Sequence, residues 1–252
     1  MVDNSEVTVR SAGAGPVVWY FHDEVTVGPG PAATRLAEEF RVLAPIHPGF
    51  AGAARPPWVE TVRDIADVYL PVVRSRHRAG TPLVLAGSSL GAWIAVEVAL
   101  AVYDLDPHVV LISPLGLAIP GHPPADHWFM TDDERDATLF HNAATKPDIE
   151  LEEFIENESM TARLGWNPRF SDRSLLPRLR RLTSPVLTIW GREDRLLPAA
   201  HRTEWGVRLP QSTSVLLTRC GHYPVYERPD EVAAAVTAFV SRHTALPQGV
   251  PT

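Results

Sequence analysis

The sequence predicts an α/β protein, in which helices pack on a mostly parallel sheet. Two observations carry that expectation. Short apolar runs alternate with longer amphipathic segments through most of the chain, the pattern of helices crossing back over parallel strands. One of these junctions, "LVLAGSSLGAWIAVEVA" at residues 83–99, passes from an apolar run through Gly-Ser-Ser-Leu-Gly into a helical pattern.

In chain order, "EVTVR" and "VVWYFH" read as strands, "ATRLAEEF" as a short helix and "RVLAPI" as a third strand. A helix follows in "VETVRDIADVYLPVV", where Ile65, Val68 and Val72 fall at near-helical spacing. Strand "LVLAG", helix "AWIAVEVALAVY" and the buried strand "HVVLIS" come next. The rhythm breaks between Pro114 and Ser184, a stretch rich in proline, acidic residues and isolated aromatics, with helical patches at "DDERDATLF" and "LEEFIENESMTARL". Alternation resumes with "PVLTIWG", "AAHRTEWGVRL", "TSVLLTRC" and "DEVAAAVTAFVSRH", and the tail "ALPQGVPT" reads as loose. The expected organisation is one core made of residues 1–116 and 183–252, with residues 117–182 inserted as a helical cap.

Composition limits the function. A chain of 252 residues, 45% hydrophobic, can build one large core. A net charge of -7, with Lys146 the only lysine, argues against a nucleic-acid or anionic-membrane surface. Cys220 is the only cysteine and cannot form an internal disulfide, and the opening "MVDNSEVTVR" has no basic segment followed by an apolar one. The expected location is therefore cytoplasmic. Residues 83–102 are the longest apolar stretch, but Gly87, Ser88, Ser89, Gly91 and Glu97 make them a poor membrane span.

Gly-x-Ser-x-Gly acquires meaning when a strand precedes it and a helix follows, and both conditions hold here. Only Ser89 has a glycine two residues away on each side, so the register selects Ser89 over Ser88. A plain strand-to-helix turn remains the alternative at this point. A serine nucleophile needs a histidine base and a carboxylate to orient it, ideally at the carboxyl ends of later strands. "PVLTIWGREDRLLP" presents Asp194 just after its strand, and "SVLLTRCGHYPVYERP" presents His222 just after another. The order Ser, Asp, His fits that arrangement.

With "APIHPGF", "GSSLG", "WGREDRLLP" and "CGHYPVYERP" in this order, and an insertion after "LIS", the chain resembles the α/β-hydrolase superfamily over nearly its whole length. It is most similar to the cap-bearing, cofactor-free hydrolases, including carbon-carbon bond hydrolases of the meta-cleavage type. The resemblance implies a triad of Ser89, His222 and Asp194, an oxyanion hole formed by backbone N–H groups of Leu90 and Glu24, and no cofactor. It also implies a small-molecule substrate in a pocket between sheet and cap; the candidate substrate contacts are His22, Asp23, Ser88, Trp128, Phe129, Phe140, Arg163, Trp166 and Tyr223, and the expected state is a monomer or homodimer. The expected activity is hydrolysis of an ester, lactone or activated carbon-carbon bond in a small apolar or aromatic molecule. The alternatives are cofactor-free non-hydrolytic chemistry on the same fold, or a binding protein with a vestigial triad.

Two departures from the family stand out. "FHDEV" places His22, Asp23 and Glu24 where the family commonly has His-Gly and an oxyanion residue, and His47 replaces an acidic residue often found there. A carboxylate 5 Å from a developing oxyanion would repel it by roughly 3 kcal/mol at an effective dielectric near 20. The expectation is that both side chains point away, with Asp23 tolerating the backbone angle that glycine usually takes. Otherwise, the reaction builds no full tetrahedral oxyanion.

Other features read as structural. Cys220 reads as a small buried residue, and the histidines lack zinc-ligand spacing. "SAGAGPVV" precedes a strand, which excludes a dinucleotide loop. Trp19, Trp93 and Trp190 read as packing residues. Arg163 and Arg169 suit either solvation or binding of a substrate carboxylate. Trp128, Phe129, Phe140, Trp166 and Phe170 suit either a pocket lining or the cap's own core.

Overall fold

The structure is a computed structural model that describes residues 7–28 and 30–244. Seven strands, β1 (Val9–Ala12), β2 (Val17–Phe21), β3 (Arg41–Pro45), β4 (Val84–Ser88), β5 (His108–Ile112), β6 (Val186–Gly191) and β7 (Ser212–Leu217), form one sheet in the order β1-β3-β2-β4-β5-β6-β7. Only β1 runs antiparallel to its neighbour; every other pair is parallel. The central strands are buried along their length, as expected for a sheet with helices on both faces.

Helices α1 (Pro31–Leu36), α2 (Val62–Arg76), α3 (Leu90–Ala101), α7 (Ala199–Arg208), α8 (Pro224–Glu227) and α9 (Pro229–Thr244) belong to the layers around the sheet. Thr61 caps α2 through a reciprocal pair with Asp64, and Ile65 and Val68 face the core. Every residue of α3 from Leu90 to Leu100 is buried, because this helix is apolar on all sides and sits beneath the centre of the sheet. Its one carboxylate, Glu97, is 3% exposed and accepts hydrogen bonds of 2.5 and 2.7 Å from Arg178.

Between β5 and β6 the chain forms α4 (Asp132–Leu139), α5 (Leu151–Gly165), α6 (Leu175–Arg178) and short 3-10 turns, and contributes no strand to the sheet. The strand expected at residues 6–10 is found two to three residues later, as β1, and the first helix is shorter than "ATRLAEEF" suggested. The tail from residue 245 lies outside the described residues.

The segment between β5 and β6 is tied to the loops at the carboxyl ends of the strands. His222 N–H donates to Leu139 O at 2.8 Å, Ala125 N–H to Leu196 O at 2.8 Å, and Val27 N–H to Glu153 at 3.2 Å. Asn157 links α5 to the same region, donating to Val25 O and accepting from Ala51 N–H. Arg178 joins α6 to α3 through Glu97.

Candidate active site

The turn between β4 and α3 puts Ser89 at φ 52°, ψ −112°, a conformation that L-residues adopt only when their surroundings impose it. The glycines around it answer to packing. A Cβ on Gly91 would lie 2.1 Å from Phe21 O and 2.2 Å from His22 O, and one on Gly87 would lie 2.2 Å from Gly91 O. The chain can approach β2 and reverse into α3 only without those side chains.

Ser89 Oγ is 2.9 Å from His222 Nε2, and His222 Nδ1 is 2.9 Å from Asp194 Oδ2. The other Asp194 oxygen accepts the N–H groups of Leu196 and Leu197 at 3.0 and 2.9 Å, which fixes the carboxylate toward the ring. Ser89 and His222 are fully buried. Burial pushes the His222 imidazole down, but the charge and hydrogen bond of Asp194, with Glu24 and Asp23 adding to them, outweigh it and hold the ring above its ordinary range.

Glu24 corrects the expectation that both carboxylates point away. Its Oε1 accepts from Ser89 Oγ and from Tyr223 OH, each at 2.8 Å, and its Oε2 accepts from Leu90 N–H at 3.2 Å. The Leu90 donor expected to serve an oxyanion is occupied by a neighbouring side chain. Three donors converge where the loop after β2 meets the elbow, and the Glu24 carboxylate accepts from all of them.

Asp23 does turn away, but without the glycine-like angle, since it is not among the described non-glycine residues at positive φ. It caps the loop through Val25 N–H and Thr26 N–H and binds Tyr226 OH at 2.9 and 3.0 Å. Burial and the neighbouring Glu24 charge push its carboxyl from 3.8 up to about 7, against the lowering effect of these hydrogen bonds.

His22 and His47 take the place of the expected His and acidic pair by stacking at 3.6 Å. His47 N–H donates to His22 Nε2, so the proton of neutral His22 sits on Nδ1 and donates to Asp23 O at 2.6 Å. His47 Nε2 donates to His22 O, leaving Nδ1 to face Tyr69 OH at 2.6 Å. Burial lowers His22 to about 4 and takes His47 well below the ordinary range, so both rings are neutral and the network needs no counter-charge. With both ring nitrogens engaged inside the protein, His22 anchors the loop carrying Asp23 and Glu24.

The remaining predicted positions fall into four groups. Tyr223 and Phe140 are buried together at 5.3 Å, beside His222. Ser88 Oγ is buried without a partner at the end of β4. Trp128 stacks on Phe170 at 4.8 Å, and Phe170 stacks on His127 at 5.5 Å, so part of the aromatic set forms a small core of its own. Phe129 and Trp166, 75% and 53% exposed, contact each other at 5.8 Å, and Arg163 is exposed. Trp166 also contacts Trp128 at 5.3 Å, and among the described residues no ring contact joins Phe129 or Trp166 directly to His222 or Tyr223.

His127, which with His122 lacked zinc-ligand spacing in the sequence, is buried with Nδ1 unpartnered and lowered to about 4 chiefly by burial. Arg169 is held by Asp126 rather than left to solvent. Cys220 is buried, and burial raises its thiol out of the reactive range. Among the described residues no cluster of three or more His, Cys, Asp or Glu is placed to hold a metal, and no helix is long and apolar enough to cross a membrane.

A serine in a sharp strand-to-helix turn at the centre of a mostly parallel sheet, with a histidine and a carboxylate after later strands, is the arrangement of an α/β-hydrolase fold. The sequence pattern of the alpha/beta hydrolase family matches residues 8–235, and the chain belongs to that family. It is 37% identical over 94 residues to 2-hydroxy-6-oxononadienedioate/2-hydroxy-6-oxononatrienedioate hydrolase 1 of Dechloromonas aromatica (strain RCB). That match covers 36% of this chain and 29% of the relative, less than a third of its length. It is 24% identical over 251 residues to 2-hydroxymuconate semialdehyde hydrolase of Pseudomonas putida, covering 86% of this chain and 84% of that protein. A variant of meta-cleavage product hydrolase from Pseudomonas fluorescens IP01, solved with acetates, superposes with a TM-score of 0.73 at 19% identity over 94% of each chain, a likeness of fold. These relatives and neighbours are hydrolases.

Proposed function

We propose that the protein is a serine-dependent hydrolase of an ester, lactone or activated carbon-carbon bond in a small molecule, with residues 117–182 as a cap over the site. The continuous chain from Asp194 through His222 to Ser89, with both links at 2.9 Å, carries this reading. Ser89 attacks the carbonyl carbon, His222 accepts its proton and returns it to the leaving group, and Asp194 fixes the tautomer and balances the imidazolium. Water then releases the product from Ser89 by the reverse sequence. The relatives' names favour the carbon-carbon bond within this range, and the buried rings of Phe140 and Tyr223 suit an apolar or aromatic substrate.

One observation favours a second reading. Glu24 occupies the Leu90 N–H, so the resting site offers a carboxylate where a hydrolase ordinarily offers a donor. That suits cofactor-free chemistry that builds no free oxyanion, such as an elimination, rearrangement or carbon-carbon bond formation. Hydrolysis of p-nitrophenyl acetate, together with labelling by a fluorophosphonate located by mass spectrometry, separates the two. Turnover and a label on Ser89, both lost in Ser89→Ala, support the hydrolase; a wild type that does neither supports the second reading.

A further inference from the structure

Ser89 Oγ lies between two partners in a chain of three atoms, Glu24 Oε1 at 2.8 Å and His222 Nε2 at 2.9 Å. Each contact needs its own proton. Asp194 receives two backbone N–H groups on one oxygen and faces His222 Nδ1 with the other, so the ring proton of a neutral His222 belongs on Nδ1. Nε2 would then be bare. With Glu24 also ionised, the single Ser89 proton would have to serve two contacts, and one of them would set lone pair against lone pair. Tyr223 OH does not remedy this, since it spends its proton on Glu24 Oε1 in a separate contact. The geometry requires a second proton, carried on Nε2 or on Oε1.

We propose that Glu24 is a fourth catalytic residue, which shares this extra proton with His222 through Ser89 and delivers it to the substrate oxygen on which charge would otherwise build. This inference rests on Ser89 being the nucleophile. In the resting site, Nε2–H donates to Oγ and Oγ–H donates to Glu24. A shift of both protons along the chain leaves His222 neutral and Glu24 a neutral acid, with nothing gained or lost. As Ser89 Oγ then bonds to the carbonyl carbon, its proton passes to His222, the carbon-oxygen π bond opens, and the Glu24 proton passes to the carbonyl oxygen. The tetrahedral adduct is a neutral hydroxyl compound flanked by the His222 cation and the Glu24 carboxylate. Collapse returns the hydroxyl proton to Glu24 and sends the His222 proton to the leaving group.

A general acid in this position takes over the work of the donor that it occupies, and so reconciles a complete serine relay with a carboxylate on the Leu90 N–H. The charges around His222 agree. It faces Asp194 on the loop after β6, Glu24 and Asp23 on the loop after β2, His127 on the segment between β5 and β6, and His201 on α7. The three carboxyl groups favour its cation, and they outweigh burial.

The test is the titration of the His222 ring, followed by NMR in the wild type and in Glu24→Gln, with Glu24→Ala as a second variant and circular dichroism to verify folding. The expected result is a wild-type ring that stays cationic above the ordinary histidine range, and a clear downward shift in both variants. Superimposable titrations would overturn the shared proton. With p-nitrophenyl acetate, kcat/KM of the wild type is expected to fall as pH rises through that titration. Glu24→Gln should lose about 10²- to 10⁴-fold, the usual contribution of a general acid, and its residual rate should rise with pH as His222 becomes neutral. A Glu24→Gln enzyme as fast as the wild type, or with the same profile, would overturn the acid role. A wild type that neither turns over the ester nor takes the Ser89 label defeats the hydrolase reading, and the His222 titration then decides the shared proton alone.

Discussion

Replacing Ser89 by glycine and by alanine separates what the elbow costs from what it does. Ser89 sits at φ 52°, ψ −112°, in a region where a side chain costs about 1–3 kcal/mol and glycine pays almost nothing. Both substitutions remove the same two hydroxyl contacts, to Glu24 and to His222, so the comparison cancels them. Glycine loses about 0.4–1 kcal/mol of the relief through its greater freedom in the unfolded chain. The remainder leaves Ser89→Gly about 1 kcal/mol more stable than Ser89→Ala, or roughly 2–4 °C in Tm for a protein of this size. Thermal unfolding by circular dichroism measures this directly. Turnover should fall by about 10⁶-fold in both, as expected on loss of a nucleophile. A Ser89→Ala protein as stable as Ser89→Gly would show that the strained elbow argument is wrong, and substantial activity in either would remove Ser89 from the mechanism.

Ser88→Ala removes a hydroxyl that is buried without a partner, so activity should stay within a few-fold of wild type and stability should hold or rise by up to about 1 kcal/mol; steady-state kinetics and Tm check both. Arg178→Met leaves the buried Glu97 carboxylate without its bidentate partner, which should cost about 3 kcal/mol, and adding Glu97→Leu should recover most of it; denaturant unfolding of the single and double variants reads the difference. For Asp23, the folded pKa of about 7 lies above the ordinary 3.8, so the folded state holds a proton that the unfolded chain has released. Its contribution is therefore fully present below about pH 4 and is lost as pH rises toward 7, a change of about 4 kcal/mol at most. Thermal melts at pH 5 and pH 8 should show a smaller difference in Asp23→Asn than in the wild type, and an equal difference would refute the assignment.

The sequence by itself determined the sheet and which three candidate residues meet at its edge. Short apolar runs mark β2 to β7, and longer amphipathic or apolar segments mark the helices between them, because hydrophobic patterning is a local property of each segment. Ser89, Asp194 and His222 were legible for a related reason: each follows immediately on a strand, and parallel strands bring their carboxyl ends to one edge whatever the remaining chain does. The two glycines of the elbow were legible from their spacing about Ser89; a Cβ on Gly91 would meet the end of β2, and one on Gly87 would meet the start of α3.

The direction of Glu24 was decided only by the tertiary structure. "HDE" showed two carboxylates near the oxyanion position, but which one turned inward depended on three donors from two separate stretches: Ser89 and Leu90 at the elbow, and Tyr223 after β7. Asp23 turned the other way because Tyr226, about two hundred residues away, offered it a hydroxyl. The same holds for the stack of His22 on His47 and for the separation of buried Phe140 from exposed Phe129 and Trp166. Each is a contact between distant segments, and a buried polar group takes whichever partner the assembled fold supplies, since leaving it without one costs more than any local preference of its own backbone.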